Sequence, residues 1–516
     1  MGKYIKIYFW QFISILFNFA AVFVVTPFIS ANQSLYGIYC IVIAAYLFIS
    51  YADFGFLGAG MKFASESFAQ KNIKDEVEVM GFSGMVFLLF VGLYALIILC
   101  FSFSPDVLVK GLKNAQEILI AKRLLMIFAF FSPVLVFQRI IQIIFGIRLL
   151  DYKFQRVLIV SNLVKVVSTF FFFSNGNYMI VEYFFFSQIC TLSAVLIGFF
   201  ILKKNLQYDI ILFLKSFKLS SRLFKKTKKL AFSSIFVTIS WIVYYELDPF
   251  VIGKLLGVSH VAIFAIGLTI STYFRSLFGL FFSPFIAKFN YFIGLNDKEG
   301  LRQFLFKVIV IFLPLTLFPV ITVFLTTQNF IYNWVGSNYN YSVIIAQILV
   351  FMYVFSFISY PANILIMANQ QLKILYISAT IQPFVYWLGI LFTYNYLGLE
   401  SFAYFKVFSF FIGVLVDIFV LIKFLEINFS VFLAKFIYPA VLPIAAVVIC
   451  LLFIRGRLPL EHNKINLIFY FFTIGSISLL GMFCYYFTSS VFKQYTNQLL
   501  FLLKGKLTNQ KLVKAV

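Results

Sequence analysis

Three basic side chains stand inside long apolar runs of this sequence: Arg139, Lys165 and Arg275. A lone ionised side chain at the centre of a membrane helix costs about 2.5–3.5 kcal/mol and survives where it faces a cavity or a partner. Arginine offers phosphate oxygens a two-pronged fork, lysine a compact charge, and a low dielectric strengthens both. The three are therefore candidates for a cationic cavity that binds a strongly anionic group. The competing reading is structural, each cation paired with a nearby acid such as Asp53 or Asp417. The acids Asp53, Glu246, Asp248 and Asp417 are in turn candidates for coupling or gating. A sodium ion or a proton would be the coupling ion, and the same acids could simply balance the cations. Asp248 precedes Pro249, and Thr26-Pro27 lies at a similar depth in the first apolar run; proline frees carbonyls and bends helices, which suits a gate. Lys406 and Glu182 fall near expected helix ends, where long side chains reach for the interface.

These charges need apolar elements to hold them, and composition supplies the elements. Of 516 residues, 63% are hydrophobic and only 11% are charged, against about 25% charged in a soluble domain. The mean hydropathy is +1.00. A soluble chain of this length would need polar exteriors for two or more domains, which this sequence cannot provide. The bilayer is the expected solvent. The net charge of +23 does not argue for nucleic acid, because the basic residues sit between apolar runs. Five dispersed cysteines give no disulfide framework or metal site.

The fold class expected is an all-α polytopic membrane protein of about fourteen transmembrane helices. Apolar stretches of spanning length fall near 5–29, 37–60, 79–103, 124–147, 157–173, 179–202 and 231–253, then 259–285, 304–327, 341–367, 375–395, 401–424, 435–454 and 465–488. The first is longer than the core of a cleaved signal peptide and reads as a helix that stays. With the N-terminus inside, one set of loops and flanks holds 29 of the 41 Lys and Arg residues and the other holds eight. The positive-inside rule then puts both termini in the cytoplasm.

The organisation expected is a six-helix lobe over 1–202, a basic linker over 203–230, a second six-helix lobe over 231–424, and a helix pair with a basic tail over 425–516. The linker contains Lys225-Lys226-Thr227-Lys228-Lys229 interleaved with apolar residues. It reads either as an amphipathic segment on anionic lipid headgroups or as a solvated connection. The lobes look like repeats offset by some 225 residues: Tyr36-Gly37-Ile38-Tyr39 faces Val261-Ala262-Ile263-Phe264, and Arg148 falls opposite Lys373. Internal repeats are common in transporters.

Several motifs together resemble a family. Thr26-Pro27, Tyr36-Gly37-Ile38-Tyr39, Asp53-Phe54-Gly55-Phe56-Leu57-Gly58, Leu247-Asp248-Pro249 and Ser283-Pro284-Phe285 are similar to those of the polysaccharide and O-antigen flippases of the multidrug/oligosaccharidyl-lipid/polysaccharide (MOP) exporter superfamily. The resemblance runs through the twelfth helix. It implies two lobes alternating around a central cavity in a bacterial inner membrane. It also implies a cargo of oligosaccharide repeat units on undecaprenyl pyrophosphate, handed to the polymerase machinery that builds capsule, O-antigen or lipopolysaccharide. Helices thirteen and fourteen would then offer a groove for the lipid tail, as in lipid II flippases.

Other classes fit less well. A P-loop, a nucleophile elbow and paired metal ligands are all missing from the sequence, and His260 and His462 lie near the outer face. The expectation is a transporter without a cofactor rather than an enzyme. A glycan polymerase or ligase would want a larger outer loop than Ser104 to Arg123. A cation-coupled drug exporter predicts twelve helices and a more acidic cavity. A lipid II flippase stays open as an alternative.

Overall fold

The computed structural model describes residues 2–498, apart from 113 and 175. The basic tail expected beyond 498 lies outside the described residues. Every regular element described is helical. In chain order the first half contains α1 (Gly2–Ile29), α2 (Gln33–Ile49), α3 (Phe56–Ala69), α4 (Ile73–Phe103), α5 (Pro105–Leu108), α6 (Ala115–Ile147), α7 (Asp151–Phe172), α8 (Ile180–Leu206), α9 (Ile210–Lys215), α10 (Ser221–Tyr245) and α11 (Asp248–Leu255). The second half contains α12 (Val258–Gly294), α13 (Lys298–Val335), α14 (Tyr341–Phe351), α15 (Ser356–Ala368), α16 (Leu372–Leu397), α17 (Glu400–Leu425), α18 (Phe429–Phe432), α19 (Tyr438–Ile454) and α20 (Lys464–Thr488).

Twelve helices are long and apolar enough to cross a membrane, and the bent pair α10–α11 makes a thirteenth span. The fourteenth apolar run behaves differently. Expected as one span over 37–60, it is the shorter α2, a turn over 50–55, and α3. Phe54 and Gly55 take positive φ of 44° and 79°, a region open to glycine but costly for most residues. The Asp53 carboxylate accepts the Leu57 amide at 3.1 Å and so satisfies one of the free amides in the first turn of α3.

The chain divides into two compact units, Met1–Ala265 and Ile266–Val516. In unit 1, α4 packs along α6 and α3, α7 lies between α1 and α8, and α10 rests on α3. In unit 2, α16 packs on α17, while α13 holds α14, α15, α19 and α20 around itself. The cores are aliphatic and aromatic, with Phe82, Phe87, Phe128 and Phe145 buried in unit 1 and Trp334, Tyr386 and Tyr470 in unit 2. Large apolar residues are also exposed along the spans, Phe130 at 73%, Phe171 at 73% and Phe472 at 76%, as a lipid-facing surface requires.

One buried ion pair fixes the basic end of unit 1. Arg148, at the end of α6, reaches the two Glu76 oxygens of α4 at 2.7 and 2.9 Å. Its guanidinium also lies over the rings of Phe68 and Tyr208, 4.8 and 5.1 Å from their centroids. Burial, and then the Glu76 charge, push the Tyr208 hydroxyl well above the ordinary tyrosine pKa, so that ring stays neutral.

Candidate functional site

Unit 1 encloses a polar cavity of about 340 Å³ among its spanning helices. α1 contributes Ser14 and Asn18, α2 Tyr46, α6 Gln138 and Gln142, and α8 Thr191. α7 contributes most, with Gln155, Ser161, Asn162 and Lys165. Positions 155, 158, 162 and 165 recur at helical spacing, so one stripe of α7 faces the space. A second cavity of about 170 Å³ adjoins it, sharing Tyr46, Gln138 and Gln142 and adding Arg139. Lys165 lies about 21 Å along α7 from Asp151, and Arg139 about 12 Å from the end of α6, at 1.5 Å per residue. Both helices are long and apolar enough to cross a hydrocarbon layer about 30 Å thick.

The donors and acceptors are partly engaged and partly open. Asn162 donates to the Asn18 oxygen at 2.9 Å, tying α7 to α1. The Lys165 ammonium donates to the Thr191 hydroxyl at 2.8 Å, and that hydroxyl donates onward to the Ser187 carbonyl at 3.0 Å. Arg139 is exposed to the cavity, with Gln142 at 3.5 Å. The Gln138 side-chain oxygen is buried without a hydrogen-bond partner. The lining of both cavities includes two cations and five carboxamides, with no Asp or Glu among the described residues. A carboxamide both donates and accepts. The surface can therefore replace the hydration of a hydroxyl-rich, anionic group taken out of water, which would otherwise be costly.

The seven residues read from sequence fall in different places. Arg139 and Lys165 come together in these adjoining cavities. Neither forms an ion pair among the described residues, although the field of Arg139 reaches the Asp53 carboxylate. Arg275 belongs to unit 2, half-buried on α12, with Tyr360 donating to its carbonyl at 2.9 Å. Glu246 and Asp248 flank the 43° break between α10 and α11 and are 7% and 0% exposed. Tyr51 donates to Glu246 at 3.3 Å, and Trp241 donates to Tyr51 at 3.2 Å. Asp417 is buried on α17 beside Ser359 of α15. Pro27 lies in the last turn of α1, which runs on to Ile29.

One reading is corrected outright. Lys406, expected to snorkel to an interface, is 1% exposed and holds its ammonium 4.9 Å from the centre of the Tyr386 ring. It sits two turns inside α17, where α16 covers it, and an aromatic face takes the place of water. The carboxamides Asn18, Gln138, Gln142, Gln155 and Asn162 were missed because single amides in apolar runs attract no notice. The stripe along α7 was the available signal.

No protein-family model and no curated protein matches this sequence. Solved structures do match. A structure described as lipid II flippase MurJ in an inward closed conformation aligns with a TM-score of 0.67 at 16% identity, covering 95% of this chain and 98% of that one. An inward-facing multidrug resistance MATE family transporter of the MOP superfamily aligns with a TM-score of 0.62 at 13% identity, covering 80% and 95%. A MOP superfamily transporter from Pyrococcus furiosus, titled for the reverse polarity of its binding pocket, gives 0.55 at 13% identity over 82% and 95%. This multi-pass membrane chain therefore has the fold of MOP superfamily transporters.

Proposed function

We propose that this protein flips an undecaprenyl-pyrophosphate-linked oligosaccharide from the cytoplasmic to the periplasmic leaflet of a bacterial inner membrane. In this reading both termini are cytoplasmic and the cargo feeds a glycan polymerase. One observation carries the proposal: a cavity at membrane depth lined by carboxamides and two cations, without carboxylates among the described residues. Carboxamides suit sugar hydroxyls, and Arg139 and Lys165 suit phosphate oxygens. The volume is within the range of small-molecule sites. A cationic drug would meet two like charges there, which disfavours the exporter reading by Coulomb repulsion at low dielectric. The fold shared with transporters supports transport rather than catalysis. A sodium ion or proton acting through Asp53, Glu246, Asp248 or Asp417 would drive alternating access.

Lipid II is the second reading, favoured by the near-complete coverage of the chain by the MurJ fold. One experiment separates the two. The chain is removed from its native cell, lipid-linked intermediates are extracted, and their membrane side is probed. Completed oligosaccharide units held on the cytoplasmic leaflet support the proposal. Lipid II held there supports the second reading. Single units that reach the periplasm unpolymerised would overturn both and place the protein after flipping.

A further inference from the structure

The segment that joins α8 to α10 is neither a free loop nor a long surface helix. Asp209 caps α9 by accepting the Leu212 amide at 2.8 Å. Phe213 is fully buried, and the Ser216 hydroxyl bonds the Val77 carbonyl of α4 at 3.2 Å. A Cβ at Gly81 would run into Ser216, so that glycine lets the segment dock on α4. On α10, Arg222 meets Asp75 and Glu78 at 3.1 and 2.9 Å, and Lys226 meets Asp75 at 3.1 Å. The inner side of the segment is thus anchored and its inward charges are matched.

The outer side is neither covered nor neutralised. Ile211, Leu214 and Leu219 are 68%, 56% and 65% exposed. Lys215, Lys218, Lys225, Lys228 and Lys229 are exposed and have no carboxylate partner among the described residues. We infer that this segment is a docking surface for anionic phospholipid headgroups, its aliphatic side chains entering the interface and its five lysines meeting phosphates. Both ends of the segment run into spanning helices, α8 and the α10–α11 pair, so it lies at a bilayer surface whichever way the chain is oriented. Lys228 and Lys229 directly precede Leu230, where the apolar part of α10 begins. An acidic soluble partner would account for the lysines but not for the exposed aliphatic residues set among them. The proposal does not depend on the cargo.

Two measurements on the full chain test it. Protein is reconstituted in nanodiscs of phosphatidylethanolamine with phosphatidylglycerol, and the lipids it retains are counted by native mass spectrometry. Replacing Lys215, Lys218, Lys225, Lys228 and Lys229 by Gln should lower the preference for phosphatidylglycerol at least about fivefold, the contribution of one lysine at an anionic surface. Replacing Lys288, Lys298 and Lys423 of unit 2 by Gln should lower that preference less than the five-lysine change does. An unaltered preference in the five-lysine variant overturns the inference. Separately, Leu219→Trp in the otherwise native chain should add fluorescence that brominated lipid quenches and aqueous iodide does not. Quenching by iodide alone would place this face in water and reject lipid docking.

Discussion

In unit 2 the polar side chains of α13 are closed onto their neighbours, whereas in unit 1 those of α6 and α7 line open space. Thr322 pairs with Ser478 at 3.0 Å and Thr326 with Tyr470 at 2.8 Å, all of them buried. Asn329 and Asn333 donate to the carbonyls of Leu458 and Pro459 at 3.2 and 2.7 Å. These groups join α13 to α20 and to the turn before it, as hydroxyls and amides do between helices in lipid. Gln138 and Arg139 of α6 and Lys165 of α7 line cavities instead. Polarity inside an apolar span thus has two uses: to tie neighbouring helices together with no space left between them, or, as with Lys165 beside Thr191, to line a cavity.

The Arg148–Glu76 pair is a closed case inside the unit that carries the open one, and it gives the largest expected effect. Arg148→Ala strands a carboxylate that is 0% exposed. Breaking a buried pair from one side costs about 3–5 kcal/mol, so folded yield and melting temperature in detergent should fall sharply. Replacing both partners with Leu should recover most of the loss. If Arg148→Ala melts like the parent, closure at that end contributes nothing to stability.

The open residues should behave in the reverse manner. Arg139→Ala and Lys165→Ala should each lower glycan export about 10- to 100-fold, or about 1.4–2.8 kcal/mol, with unchanged melting temperature and membrane abundance. Normal export from both would remove the cationic site, and an equal loss of melting temperature would make these residues structural.

Much of this arrangement was legible along the chain, and physics explains which parts were not. Spans are read from apolar length alone, so thirteen of the fourteen expected runs stand as candidate spans, with α10–α11 counted as one, and the run over 37–60 does not. The bend expected at Asp248-Pro249 is the break between α10 and α11. The turn over 50–55 stayed hidden because the apolar residues on either side of it add up to spanning length; Ser50, Asp53 and Gly55 were the local signal for it. Glu76 and Arg148 are separated by most of two spans, and Lys165 and Thr191 by a helical hairpin, so neither contact shows in local pattern. Lys406 was misplaced because distance from a helix end says nothing about what lies over the side chain.

The smallest effect is the one that sharpens the comparison most. Thr322→Val removes a buried hydroxyl pair without changing volume much, and Ser478→Ala removes the same pair from the other side. Interhelical hydrogen bonds in membrane proteins average about 0.6 kcal/mol and reach about 1.7 kcal/mol, because the unfolded chain in lipid also finds partners. Each single change should therefore cost stability at that scale, and the double change should cost less than the sum, with a coupling energy near 0.6 kcal/mol. Export should stay at the parental level throughout. A large loss of export at unchanged stability would mean that the α13–α20 seam moves during transport, and that closed polarity in unit 2 serves function as directly as open polarity does in unit 1.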